Sequence, residues 1–261
     1  MENVEGLLHP DKIELLESGI ESVSRTYRVL DPIVVNAAHF GAATSRKRVV
    51  IIGYDPEWVD PLSVELFQPK PPKYLATVRQ AIADLPSPVH GDGPQSNFGW
   101  AKYPSKAVSR LPEYARFLRS PPPAGLGWKE AIDLHREGYV SGLTATRHSR
   151  EITQRYAVIR GGKSDPITKS YRLEWDGQCP TLRAGTGMDK GAFQAVRPLQ
   201  PGKGRVITVR EAARLQAFPD WFVFHATKWH SFRMLGNSVS PAVSYGLFSR
   251  IAEKLHVSLA S

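Results

Sequence analysis

The stretch from Arg205 to Pro241 constrains this chain more than any other, because its helix ends are signalled by side-chain chemistry. Thr208-Val209-Arg210-Glu211 is a capping box, in which the threonine hydroxyl and the Glu211 carboxylate satisfy free N–H groups of a new helix. Ala212, Ala213, Leu215 and Gln216 carry that helix to Phe218-Pro219, where proline forbids continuation. A connecting segment of aromatic and basic residues follows, through Trp221, Phe224, Lys228, Trp229 and Arg233, and ends in Gly236-Asn237-Ser238-Val239-Ser240-Pro241. Ser240 suits the cap of a second helix and Pro241 its first position. In that helix Ala242, Val243, Leu247, Phe248, Ile251 and Leu255 form an apolar stripe wider than a lone surface helix needs.

The first part of the chain reads as a layered α/β segment. A helix is expected from Pro10, its apolar face marked by Ile13, Leu16, Ile20 and Val23, with Gly19 costing it about 1 kcal/mol relative to alanine. Tyr27 to Leu30 and Ile33 to Val35 read as a strand interrupted at Pro32, and Arg48 to Gly53 as a strand buried on both faces. So few strands do not close a sheet of this kind, and further strands are expected upstream. From about Asp55 prolines accumulate, relieved by a small helix capped at Thr77 and another at about Lys129 to Arg136, stopped by Gly138. Cations then gather between Arg147 and Arg172, including Arg150, Arg155, Arg160, Lys163 and Lys169. Such a cluster serves either a solvated face or a polyanion.

Charge balance leans towards a polyanion. Lysine plus arginine number 34 against 25 acidic residues, a formal charge of +9. That excess favours partners whose condensed counterions are released on binding, as nucleic acids do, although ribosomal and membrane-surface proteins share it. A single cysteine excludes an internal disulfide and fits a reducing compartment. No apolar run approaches the ~20 residues that span a bilayer and no signal pattern opens the chain, so no membrane partner and a cytoplasmic location are expected. No His/Cys spacing suits a metal site.

The composite string ITVREAARLQAFPDWF followed by GNSVSP closely resembles motifs IX and X of the DNA (cytosine-5) methyltransferases. Glu2-Asn3-Val4 is similar to the Glu-Asn-Val of motif VI. Residues 36–48, NAAHFGAATSRKR, resemble motif VIII, with Arg46 and Arg48 at its two arginine positions but Ala43 and Thr44 where proline and glutamine are usual. Pro180-Thr181-Leu182-Arg183-Ala184-Gly185-Thr186-Gly187 resembles the end of the family's target-recognition domain, with its Thr-Leu pair. The resemblance covers nearly the whole chain but only the second half of the family's architecture.

What the resemblance implies follows from the reaction. Carbon 5 of cytosine is a weak nucleophile, so the family adds a cysteine thiolate to carbon 6 of a flipped base while a glutamic acid engages ring nitrogen 3. The implied catalytic residues are Glu2 for that acid, Arg48 for the base carbonyl, and Arg46 for a backbone phosphate or the active-site carboxylate. Salt-bridged anchoring of a strand edge is the structural alternative for both arginines. Glu2 beside the Met1 ammonium at a free chain end is poorly placed for an acid whose pKa must rise. Asn237 and Ser238 are implied beside S-adenosylmethionine. Arg147, Arg150, Arg155, Arg160, Thr181, Leu182 and Arg183 are implied at double-stranded DNA. The family's Pro-Cys nucleophile and Phe-x-Gly-x-Gly cofactor loop do not occur here; Cys179, in Gln178-Cys179-Pro180, reads as a small packing residue.

The fold expected is α/β: the C-terminal part of a Rossmann-like S-adenosylmethionine-dependent methyltransferase domain plus a smaller, loop-rich target-recognition domain. Residues 1–56 are assigned to the catalytic domain, 57–200 to the recognition region, and 201–261 to the helices that return to the catalytic domain. Alone the chain is expected to be inactive, with an incomplete cofactor pocket and an N-terminal methyltransferase half or subunit as partner. A catalytically inert DNA-binding or regulatory fragment is the alternative.

Overall fold

Alternation in Ile33-Val34-Val35 and the run Arg48–Ile52 build a three-stranded sheet with a core on each face. The computed structural model describes residues 1–69, 72–90, 98–104, 108–184 and 197–255. In chain order its elements begin with β1 (Glu2–Asn3), α1 (Pro10–Val23), β2 (Arg28–Val29), β3 (Ile33–Asn36), β4 (Thr44–Ser45), β5 (Lys47–Val50) and β6 (Gly53–Tyr54). There follow α2 (Val78–Ile82), β7 (Ala101–Lys102), α3 (Glu113–Leu118), α4 (Lys129–Arg136), β8 (Tyr139–Val140) and α5 (Arg150–Ala157). The last are β9 (Cys179–Pro180), α6 (Val209–Leu215), α7 (Lys228–Asn237) and α8 (Pro241–Ala252). No helix among the described residues is long and apolar enough to cross a membrane.

Strand β5 lies between β1 and β3, antiparallel to both. Its side chains alternate, so Val49 and Ile51 meet Leu16 of α1 on one face, while Val50 and Ile52 join Ile33, Val35 and α8's Val243 and Leu247 on the other. Burial on both faces explains the unbroken apolar run. A second, larger core gathers α2, α6 and α7 around Ala43, Leu173, Cys179 and Leu182. Both larger cores draw residues from all three sequence segments, 1–56, 57–200 and 201–261.

Local signals place the helices well. Thr77 with Gln80, and Thr208 with Glu211, both close as full capping boxes. Gly138 follows α4 at φ 87°, a conformation that glycine adopts without a Cβ clash. Three expectations are corrected. The aromatic and basic connecting segment is in good part helix α7, which buries Phe232 and Leu235 in the larger core. Ser240 does not cap α8 with its side chain; its hydroxyl donates to Gln216 O at 2.8 Å. The apolar stripe of α8 is largely covered within the chain: Val243 and Leu247 are buried and Ala242 and Ile251 pack beside them, leaving Phe248 and, past the helix end, Leu255 exposed.

Candidate active site

Strand register brings Glu2 to Arg48. Glu2 faces Val50 across the β1–β5 pair, and Arg48 lies two residues along on the same face, the diagonal position that long side chains reach. Arg48 Nε is 3.0 Å from Glu2 Oε1. The distance is that of an ion pair, but the donor geometry is poor, and Glu2 Oε1 is buried without a hydrogen-bond donor. Arg48 Nη1 donates to Lys47 O at 2.7 Å, and its Nη2 has no partner among the described residues. Burial lowers the Arg48 pKa, and the Glu2 charge works against that shift.

Arg46, between β4 and β5, does something different from what the resemblance implies. Its side chain is buried, and its two Nη atoms donate to Leu182 O at 3.0 Å, Gly236 O at 2.8 Å and Ser238 O at 2.8 Å. Phosphate or carboxylate contact is replaced by a clamp on two backbone segments. Burial first, and then repulsion from Arg48, pull its pKa down to about 10, so the guanidinium stays charged at neutral pH.

The clamp closes a seam between two of the sequence motifs. Strand β9 pairs in parallel with β4, Thr44 opposite Cys179, and Thr181 Oγ1 donates to Ser45 O at 3.1 Å. The chain then crosses directly over Gly236, where a Cβ would lie 2.2 Å from Ala184 N. Only glycine permits that approach. Leu182 packs into the larger core and presents no side chain to a ligand, while Arg183 is exposed. Residues 185–187 of this motif lie outside the described residues. Asn237 is exposed at the end of α7, and the Ser238 hydroxyl is committed to Leu235 O at 2.9 Å. Cys179 is sealed in the seam, where burial pushes its thiol up to about 12, far from a nucleophilic thiolate.

The residues that sequence reasoning missed are on α6. Arg210 and Arg214 are buried, and every nitrogen of both is used. Arg210 donates to Ser141 O and Oγ, Pro219 O and Phe222 O. Arg214 grips Asp220 with two nitrogens, at 2.9 and 2.6 Å, and reaches Asp84 Oδ1 at 2.6 Å, Ala81 O and Tyr103. Tyr103 also donates to Asp220, and Arg119 holds the other oxygen of Asp84. Burial works to raise the Asp220 pKa, but Arg214, together with Arg210 and Tyr103, outweighs it and holds the carboxyl below its ordinary value. One helix thus fixes loops from three distant parts of the chain. The i, i+4 spacing of Arg210 and Arg214, with Asp220 just past the helix stop, was the available signal.

The cation cluster between Arg147 and Arg172 divides. Arg155 pairs with Asp165 at 3.0 Å, and Arg172 is buried on the carbonyls of Tyr156, Gln200, Pro201 and Lys203. These two are structural, which corrects the expectation for Arg155. Arg147, Arg150 and Arg160 are exposed. Arg147 also lines a cleft of about 650 Å³ with His90, His148, Lys203 and Arg205. No group of three or more metal-ligating side chains occurs among the described residues.

The family model for C-5 cytosine-specific DNA methylase matches residues 1–253. The chain is 36% identical over 264 residues to the type II methyltransferase M.XorII of Xanthomonas oryzae pv. oryzae, an alignment covering 97% of this chain and 58% of that protein. Type II methyltransferase M.Eco47II of Escherichia coli is 25% identical over 258 residues, with 97% of this chain and 53% of that protein covered. A crystal structure of a prophage-encoded E. coli protein described as a DNA modification methyltransferase superposes with a TM-score of 0.81 at 36% identity, covering 97% of this chain and 68% of that one. The chain therefore spans a little over half the length of these two curated relatives.

Proposed function

The chain belongs to the C-5 cytosine-specific DNA methylase family, and from that premise we propose that it supplies the C-terminal part of a DNA cytosine-5 methyltransferase. Its partners in this reading are double-stranded DNA and an N-terminal methyltransferase half carrying the thiolate. The observation that carries the reading is the Glu2–Arg48 pair: a buried carboxylate oxygen whose near donor, Arg48 Nε at 3.0 Å, is poorly aligned, beside a guanidinium with an uncommitted nitrogen. Such an arrangement is costly as mere anchoring and useful where a flipped base brings its own polar edge. Glu2 would engage ring nitrogen 3, and Arg48 Nη2 the base carbonyl. Arg46 is a positioning residue that holds the carbonyls of Gly236 and Ser238 and so sets where Asn237 stands.

S-adenosylmethionine, the family's methyl donor, is only partly provided for by the described residues. Of the two implied residues, the Ser238 hydroxyl is already bonded to Leu235 O, while the amide of Asn237 is exposed. One amide does not hold such a ligand, and the remaining contacts fall to the partner half. When bound, the cofactor supplies the methyl group. Cys179 is buried with its thiol raised to about 12 and supplies no nucleophile.

Methyl transfer to duplex DNA, with and without a matching N-terminal half, tests this proposal. The expected result is no turnover by the chain alone, turnover by the pair, and a loss of about 10²–10⁴ in the pair carrying Glu2→Gln. Turnover by the chain alone that survives Cys179→Ala would sink it.

A further inference from the structure

Two cations from well-separated parts of the chain, Lys228 and Arg197, converge on the short segment Ala145–His148, which carries a histidine of its own. Lys228, the first residue of α7, donates to Ala145 O at 2.7 Å. Arg197 donates to Thr146 Oγ1 at 3.3 Å and lies over the Phe232 ring, 4.3 Å from its centroid. His148 Nε2 receives the Val206 N–H at 3.5 Å, a contact at the limit of a hydrogen bond, and its ring meets Tyr156 edge-on at 5.3 Å. Both Lys228 and Arg197 are thus held by uncharged oxygens, and neither has a carboxylate partner among the described residues. The nearby carboxylate, Glu211, is committed to Arg205 at 2.7 and 2.8 Å.

Like charges held together without a counter-ion are unfavourable. The strain is visible in their proton affinities. Burial, and then Lys228, Arg197 and Arg205, lower the His148 pKa; burial, and then Arg197 and Arg147, lower that of Lys228. His148 also lines the cleft of about 650 Å³ that opens beside this cluster. Ala145 and Thr146, the residues that Lys228 and Arg197 hold, line the same cleft, so an anion at this wall relieves the repulsion between the two cations and meets donors already oriented by neutral acceptors, which keeps ordering costs small.

We propose that Lys228, Arg197 and His148 form a seat for one backbone phosphodiester of duplex DNA, remote in sequence from Glu2 and Arg48 and centred on residues other than Arg150 and Arg160. The proposal rests on the reading that this chain engages DNA. It also carries a pH dependence. His148 is faced by Lys228, Arg197 and Arg205, by Glu211 through Arg205, and by the Tyr156 ring. A phosphodiester added to that set favours the imidazolium, whose Nε2–H replaces the long contact from the Val206 N–H with a donor. Binding therefore takes up a proton, and affinity falls as pH rises through the His148 titration.

Binding of the unaltered chain to a duplex, followed by fluorescence anisotropy across a salt series, provides the test. The slope of log K against log salt should become shallower by about 0.9 when Lys228→Gln and Arg197→Gln are combined, each alone giving part of that change, and stay put in Arg250→Gln. Imidazole NMR of His148 in the unaltered chain supplies a readout independent of any substitution, since its pKa should rise when duplex is added. Unchanged slopes together with an unmoved His148 titration would overturn the seat while leaving DNA binding intact. Failure of the unaltered chain to bind duplex at any salt concentration overturns the DNA reading and this proposal together.

Discussion

Two pairs of arginines sit on two elements of this molecule and do opposite things. On α6, Arg210 and Arg214 are buried with every nitrogen donating, and their charge is met by Asp220 and Asp84. At β5, Arg46, just before the strand, gives its Nη atoms to three carbonyls and leaves its Nε unpaired, while Arg48 lies against the Glu2 carboxylate and keeps one nitrogen free. The difference separates architecture from chemistry. A cation whose donors are all spent holds chain segments together, whereas one left incompletely satisfied beside an incompletely satisfied acid is poised for a third party.

The sharpest way to break this comparison is to remove Arg214. Arg214→Ala leaves Asp220 and Asp84 buried without their main counter-charge and should destabilise the fold by about 3–5 kcal/mol in chemical denaturation. A loss below ~1 kcal/mol would show that the α6 network is not architectural. The network should also have an acid limit. The folded-state pKa of Asp220 lies below its ordinary 3.8, so its contribution is complete above that value and is lost as pH falls through the lower folded value. Acid unfolding curves should therefore lose a component below about pH 4 in Asp220→Asn.

Arg46→Lys comes next, because one ammonium does not reach three carbonyls as a planar fork does. A cost of about 2 kcal/mol is expected by thermal or chemical unfolding. If lysine is tolerated without cost, the seam does not depend on the clamp. Smallest is Arg48→Ala, for which a pair that keeps some exposure, 14% and 21% of the two side chains, predicts about 1–2 kcal/mol. Equal destabilisation by Arg48→Ala and Arg214→Ala in the same assay would erase the contrast between the two pairs.

Much of the fold was legible because its signals are local. Thr77, Thr208, Gly138 and Pro241 each act within one turn of chain, and each marks a helix end in the structure. Helix α7 was hidden by composition: its aromatic and basic residues read as a hinge because Phe232 and Leu235 find their core only in three dimensions. The site was legible in part. Glu2 and Arg48 do meet, since strand register carries their juxtaposition. Arg46, Arg155 and Arg172 were misjudged because a sequence does not distinguish a cation facing solvent from one enclosed by carbonyls. For Arg210 and Arg214 the decisive partners include Ser141, 69 residues from Arg210, and Ala81, 133 residues from Arg214. Three-residue periodicities say nothing about contacts at that range.

Strand β9 carries a consequence of its own. The chain's single sulfhydryl, Cys179, is fully enclosed where β9 meets β4. A maleimide or disulfide reagent reaches it only when that two-residue pairing comes apart. The molecule thus carries a native chemical clock for its own breathing: labelling in the fast-closing regime advances in proportion to the fraction of time the pairing is open. Any ligand that draws Thr181–Ala184 and Gly236 together should slow it, and no probe need be introduced to watch that happen.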